Sequence, residues 1–204
     1  IMKIGIDLDD TLVDFVGGLI KFHNAKYNTN FKRNDFKSYR LYETLNISLD
    51  LAIQRVEKFL YDDKFLSLET LPYAVDVTRE IAKTNEIYVV TSRQRSLSRV
   101  TEETIEASFN GCFKDIFYSA NHYTGHDGKT KKQICERYGI ELLIEDSHDY
   151  ALQCATSKIK VLLLEQPLNR NSAVNRNISR VKNWAKIHDY IKIKSHQKVF
   201  QKKS

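Results

Sequence analysis

Asp7-Leu8-Asp9-Asp10-Thr11 places three carboxylates within four residues, directly after the apolar run from Lys3 to Leu8. Like charges that close repel, and without a cation at least one of them is protonated or swung into water. A bound Mg²⁺ removes the conflict. Alternate residues of an extended strand face the same side, so Asp7 and Asp9 can address one cavity while Leu8 turns away. One acid can then attack while the other moves protons, and a solvated acidic turn is the plainer alternative. Asp10 and Asp14 are read in the plainer way, as caps or solvent-facing groups at the start of the next helix.

Three further segments pair a buried-looking run or a helix start with polar groups. Val89-Val90-Thr91-Ser92-Arg93 ends a run with two hydroxyls and a guanidinium, which suits a phosphate oxygen as well as an ordinary N-cap. Gly128-Lys129-Thr130-Lys131-Lys132 opens a helix through Ile134, Cys135 and Tyr138 to Gly139. A Walker A loop needs a glycine where Tyr123 stands, so that reading fails. Lysines at a helix start oppose the dipole, and three together ask for an anion in front of them. Leu142-Leu143-Ile144-Glu145-Asp146-Ser147-His148-Asp149 ends in an acidic pair with a third acid three residues on. Two acidic strand ends that converge supply the oxygen ligands Mg²⁺ prefers.

Positioning these groups falls to five apolar runs: Lys3 to Leu8, Glu86 to Thr91, Phe113 to Ser119, Ile140 to Glu145 and Lys158 to Leu164. Their nearly continuous Ile, Val and Leu content, with helical-length segments between them, predicts a doubly wound parallel α/β sheet covered on both faces. In such sheets ligands bind outside the carboxyl ends of the strands, where the polar groups above fall. More than seventy residues separate the first two runs, far beyond one crossover helix, so a small helical cap is expected there. Its helices are expected over Phe15 to Tyr27 and from Ser48 as N-cap, with Leu49, Ala52, Ile53, Val56, Phe59 and Leu60 on one stripe. Pro72 fits the first position of a helix through Ala74, Val77 and Ile81. The resulting division is a core of residues 1–13 and 73–191, a cap of 14–72 and a basic tail of 192–204.

The chain has 204 residues, 42% hydrophobic and 28% charged, with 7 Gly and 2 Pro, which excludes collagen-like, disulfide-scaffold and disordered classes. Its net charge of +6 is concentrated in the tail, where five lysines leave 27 basic against 26 acidic residues elsewhere. A nucleic-acid partner is therefore not expected, and the tail reads as disordered or weakly helical. Three scattered cysteines without a CxxC, no signal-peptide pattern at the start and no long apolar run predict a cytoplasmic protein with no membrane partner. His122 and His126 flank Gly125 and are given no metal role. Ten of the 22 aromatic residues fall between Phe15 and Phe65, enough to pack a cap and offer a nucleobase a stacking surface. Phe15 is the leading candidate for a base contact, and Arg93 for a substrate carbonyl or second phosphate.

Taken together and in this order, Asp7-Leu8-Asp9-Asp10-Thr11, Thr91-Ser92, a lysine near 131 and Glu145-Asp146-Ser147-His148-Asp149 resemble the four motifs of the haloacid dehalogenase (HAD) superfamily of phosphatases. The branch with a small cap after the first motif, that of the 5'(3')-deoxyribonucleotidases, is the nearer likeness. Glu165-Gln166-Pro167-Leu168-Asn169-Arg170 and the segment from Asn177 to Trp184 also look like its bacterial members. The resemblance implies a HAD-like Rossmannoid fold and a Mg²⁺-dependent phosphomonoester hydrolase acting through an aspartyl-phosphate on nucleoside monophosphates. It implies Asp7 as nucleophile, Asp9 as general acid and base and Asp146 as the main second-site metal ligand, with Glu145 and Asp149 in support. Both Asp7 and Asp9 count among the expected metal ligands. Thr91, Ser92 and a lysine are implied for the phosphoryl group; Lys131 fits best because Ile134-Cys135 follows it, with Lys129 and Lys132 still open. Asp10 departs from the glycine usual after the second acid. The rivals are a polynucleotide end phosphatase using the tail, a sugar-phosphate phosphatase and a silent nucleotide-binding protein.

Overall fold

The computed structural model describes residues 1–36, 40–120 and 128–201. His122 and His126 lie outside them. The strands β1 (Lys3–Ile6), β2 (Glu86–Thr91), β3 (Ile116–Tyr118), β4 (Leu142–Glu145), β5 (Lys160–Leu164) and β6 (Ile178–Val181) form one sheet in the order β3-β2-β1-β4-β5-β6. Every pairing is parallel. The five expected strands are present, and β6 is an addition. Its polar centre, Ser179-Arg180, hides it from a search for apolar runs, yet Ile178 and Val181 are buried against β5.

Neighbouring residues of one strand enter different cores, which is why the strands read as unbroken apolar runs. Ile4, Ile6, Val89, Leu142 and Ile144 pack with helices α5 (Ala74–Ala82), α6 (Ser98–Phe109) and α9 (Trp184–Gln201). Val90, Leu143, Val161 and Leu163 pack on the other face with α7 (Lys131–Tyr138) and α8 (His148–Cys154). Gly5 makes the tight centre possible, since a Cβ there meets Val90, Ile140 and Leu143 at 3.0–3.2 Å. The α9 helix runs through most of the lysine-rich tail, which is thus helical as far as Gln201.

Between β1 and α5 lie α1 (Phe15–Tyr27), a 3-10 turn (Arg33–Asp35), α2 (Leu41–Leu45), α3 (Leu49–Leu60) and α4 (Asp63–Leu66). Ser48 caps α3 by accepting from the Leu51 N–H, as expected. The stripe is buried only in part: Ala52 and Phe59 are covered, while Leu49 and Ile53 are 54% and 43% exposed. The α5 helix does not begin at Pro72. Tyr73 sits at φ 65°, outside the helical region, so the helix starts one residue later at Ala74. Two small aromatic-rich cores hold the insertion, and Leu97, Val100 and Leu168 from loops or helices beyond it join them. The insertion thereby stands over the carboxyl ends of β2 and β5. Its polar interior is linked by a chain of hydrogen bonds: Arg55 donates to His23 Nε2 at 2.8 Å, His23 Nδ1 to Thr29 Oγ1 at 2.9 Å and Thr29 to Asn24 at 2.8 Å, while the Arg55 Nε finds no partner. Burial and the neighbouring Arg55 push the His23 imidazole below its ordinary value, which fits its role as acceptor.

Candidate active site

The Asp7 N–H donates to the Ile144 carbonyl at 2.9 Å, extending the central pairing one residue past β1 and fixing the acid beside β4. The chain then turns tightly, with the Leu8 carbonyl accepting from the N–H groups of Leu12 and Val13 at 2.8 and 3.0 Å. Asp10 takes φ 54°, where the glycine usual in this motif would be at ease. Its carboxylate compensates by accepting from the Val16 N–H at 3.1 Å and from Arg33 at 2.7 Å, while Gln166 donates to its carbonyl at 2.8 Å. Asp14 caps α1 and also meets Arg33. Asp10 is therefore a cap, as expected, but faces an arginine inside the protein rather than solvent. On the far side of the turn Trp184 donates to the Thr11 carbonyl at 2.8 Å.

Lys131 is the lysine that reaches the centre. It occupies the first turn of α7 behind the Thr130 cap, is 1% exposed, and donates to Asp7 and to Glu145 at 2.7 Å each. Lys129 is exposed and Lys132 half-buried. Burial works against the Lys131 ammonium, but Asp7 and Glu145 outweigh it and hold the group protonated. Glu145 uses its other oxygen to accept from the Ser147 N–H at 3.0 Å. Asp7, Glu145 and Asp146 offer carboxylate oxygens within 4.8 Å of one another. Burial and the charge of Glu145 raise Asp7 to about 7 and lift Asp146 well above the carboxylate range. Burial raises Asp10 to about 7 against the pull of Arg33. Three buried acids crowd around one ammonium, and burial with their mutual repulsion holds two of them, Asp7 and Asp146, toward their protonated forms. A divalent cation would let them ionise, and this set of hard oxygen donors fits one. Asp149, by contrast, lies on α8 with its side chain 75% exposed and is not brought into the cluster.

Thr91 is buried at the end of β2, and its hydroxyl accepts from the Arg93 N–H at 3.1 Å. Ser92 pairs with Ser119 at 2.8 Å across the ends of β2 and β3. Arg93 makes a two-bond fork with Asp9, Nε to Oδ2 at 2.9 Å and Nη2 to Oδ1 at 2.6 Å. These groups open into one cavity of about 280 Å³, lined below by Asp7, Asp9, Thr91, Ser92, Lys131 and Asp146 and above by Phe15, Phe36, Leu41, Val56 and Leu60. Phe15 packs edge-on against Phe59 at 5.5 Å while bordering the cavity. Asp7, Asp9, Phe15, Thr91, Ser92, Arg93, Lys131, Glu145 and Asp146 thus border one cavity, and Asp149 does not.

Several supports went unpredicted. Asn169, fully buried, donates to the Asp146 carbonyl at 2.7 Å and accepts from Arg180, which fixes the β4 loop from behind. Tyr150 lays its ring 4.5 Å from the Lys131 ammonium. Asn169 and Trp184 stand in segments that carried the resemblance, but their polar contacts span too much sequence for spacing to expose them.

A parallel sheet with an insertion after its first strand, and paired acids, a lysine and a second acid pair gathered at the strand ends, define a hydrolase of the HAD class. The solved structures agree on the fold. A haloacid dehalogenase-like family hydrolase from Streptococcus pneumoniae matches with TM-score 0.65 and 14% identity, covering 94% of this chain and 98% of that one. A protein described as the HAD-hydrolase YfnB from Bacillus subtilis, bound to magnesium, matches with TM-score 0.55 and 14% identity, over 93% and 97%. Within the class, residues 1–198 match the family described as 5' nucleotidase, deoxy (pyrimidine), cytosolic type C, and the chain belongs to it. A nucleotidase of Clostridium acetobutylicum is 29% identical over 178 residues, 83% of this chain and 86% of that protein. The protein is accordingly a phosphomonoester hydrolase of the nucleotidase kind.

Proposed function

We propose that this chain hydrolyses nucleoside monophosphates with Mg²⁺ through an aspartyl-phosphate on Asp7, in the cytoplasm, with residues 14–72 acting as its cap. The observation that carries the reading is the buried Asp7–Lys131–Glu145–Asp146 cluster, three acids crowded around one ammonium, beneath a cavity with an apolar roof. Asp7 and Asp146 would hold the metal, with Asp9 contributing through its backbone as the family likeness implies. Glu145 serves chiefly to hold Lys131, since both its oxygens are engaged. When bound, Mg²⁺ supplies charge that lets an anionic carboxylate approach an anionic phosphate. The magnesium in the Bacillus subtilis protein's description accords with that choice.

In the first half Asp7 attacks phosphorus, the bond to the leaving oxygen breaks, and Asp9 gives that oxygen a proton. In the second half Asp9 takes a proton from water as its oxygen attacks the aspartyl-phosphate, releasing inorganic phosphate and restoring Asp7. Thr91, Ser92 and Lys131 hold the phosphoryl oxygens throughout. A cavity of about 280 Å³ lies at the small end of ligand pockets, roughly 300–1,000 Å³, which favours a mononucleotide over a polymer end. Phe15 offers the ring against which a base can lie. Among the described residues no helix is long and apolar enough to cross a membrane.

The test is a phosphatase screen over nucleoside monophosphates, sugar phosphates and 5'-phosphorylated oligonucleotides, with EDTA and with Mg²⁺ restored. Mononucleotide turnover that EDTA abolishes and Mg²⁺ restores is expected. Full activity in EDTA, or turnover of oligonucleotides alone that is lost when residues 192–204 are removed, would replace this reading with a metal-free one or with a polynucleotide end phosphatase.

A further inference from the structure

Arg93 is spent in a way that a phosphate-binding arginine is not. Its Nε and Nη2 both donate to Asp9, at 2.9 and 2.6 Å, its Nη1 donates to Thr101 at 3.3 Å, and its guanidinium lies 4.7 Å from the Phe65 ring centre. The side chain is 4% exposed, and each of its three nitrogens and one face of the fork meet protein groups. We propose that Arg93 is the positioning residue for Asp9 in the second half of the reaction, a proposal that rests on the reading above.

A carboxylate has about four lone-pair sites and a bidentate arginine takes two, leaving one on each oxygen. Asp9 is 27% exposed and borders the cavity, so the remaining sites are available there. The fork fixes the plane of the Asp9 carboxyl group and leaves its free lone pairs at the cavity, where a base must meet the attacking water. In that step the water O–H bond breaks toward Asp9, a bond forms from water oxygen to phosphorus, and the phosphorus–oxygen bond to Asp7 breaks. Lysine cannot reproduce the planar two-bond grip. Phe65 lies on α4 of the insertion and packs against Phe15 and Phe59 at 6.3 and 5.4 Å. The seating of the insertion thereby reaches the base through the face of a single guanidinium.

The experiment compares Arg93→Gln, Arg93→Lys and Phe65→Leu with the parent protein in Mg²⁺ on p-nitrophenyl phosphate. Its phenolate leaves without a proton, so the first half does not need an acid. For Arg93→Gln the expectation is a burst of one p-nitrophenol per protein, kcat lower by about 10²-fold and kcat/KM within about threefold of the parent. Intact-protein mass should show one phosphoryl group accumulating at steady state. Inhibition by inorganic phosphate should be unchanged, Arg93→Lys intermediate, and Phe65→Leu a weaker version of the same signature that stands even if Arg93→Gln does not fold. A parallel fall in kcat and kcat/KM without a burst, weakened phosphate inhibition, or unaltered kcat in the folded variants would each overturn the proposal. A parent protein inert toward p-nitrophenyl phosphate and all nucleoside monophosphates would end the reading of the site itself, seen before any variant is made, and this proposal with it.

Discussion

At the strand ends three buried carboxylates crowd one ammonium, whereas inside the insertion the half-buried Arg55 guanidinium is accommodated by a neutral histidine and a ring face. Among the described residues no carboxylate pairs with Arg55. The two clusters are alike in burying polar groups and opposite in how they are satisfied. The insertion's chain from Arg55 through His23 and Thr29 to Asn24 runs within the protein and leaves the Arg55 Nε without a hydrogen-bond partner. The strand-end cluster crowds three acids whose oxygens border a cavity. A mostly neutral chain of hydrogen bonds away from any cavity is architecture; buried acids that repel one another at the floor of a cavity are a place for a ligand.

The largest effect expected from this difference is catalytic. Asp7→Asn should lower turnover by at least about 10⁴-fold, because an amide cannot attack phosphorus, while melting in EDTA at pH 8 should rise as one crowded charge disappears. An active Asp7→Asn protein would falsify the nucleophile assignment.

Removing the cation of each cluster sharpens the contrast. Lys131→Met strands three buried acids and should cost about 3–5 kcal/mol in EDTA, whereas Arg55→Met removes little more than a hydrogen bond and should cost about 1 kcal/mol. Urea unfolding of both variants with and without Mg²⁺ measures this, and Mg²⁺ should narrow the gap. Equal costs would mean that the strand-end cluster is as self-sufficient as the other.

The pH effects of the two clusters are opposite in sign. Asp7 rises from 3.8 to about 7 on folding, so the folded protein holds the extra proton and the metal-free form should lose stability as pH climbs through that interval. His23 is lowered on folding, so the unfolded chain takes the proton first and stability should fall as pH drops below its ordinary 6.5. Melting curves in EDTA across this range should show both arms. Asp7→Asn should shrink the arm that falls as pH rises and His23→Gln the opposite one; a falling arm that survives Asp7→Asn, Asp10→Asn and Asp146→Asn together would break the assignment.

The strand-end cluster was legible in sequence because its acids follow apolar runs, and a parallel sheet brings the ends of such runs together whatever lies between them. Asp7, Glu145 and Asp146 could be picked out for that reason, whereas Lys131 was preferred over Lys129 and Lys132 only through the family likeness. The supports were not legible. Asn169 reaches the Asp146 carbonyl across 23 residues and Arg93 reaches Asp9 across 84, distances over which no periodicity operates. Asp149 misled because nearness to Glu145 in sequence is not nearness in space once a helix starts at His148. β6 escaped because an edge strand carries polar residues, and the start of α5 because one residue with positive φ displaced it.

The bond from Trp184 to the Thr11 carbonyl spans 173 residues of chain. Ribosomes add about 5–20 residues per second, so roughly ten to thirty-five seconds separate the emergence of the catalytic turn from that of the residue that clamps it. β1 meanwhile occupies the centre of the sheet, waiting first for β2 and then for β4. Asp7, carried just past that strand, leaves the ribosome before every strand that must pair around it. A nascent chain released early leaves Ile4, Ile6 and Leu8 without their neighbours, and is a client for chaperones before it is an enzyme.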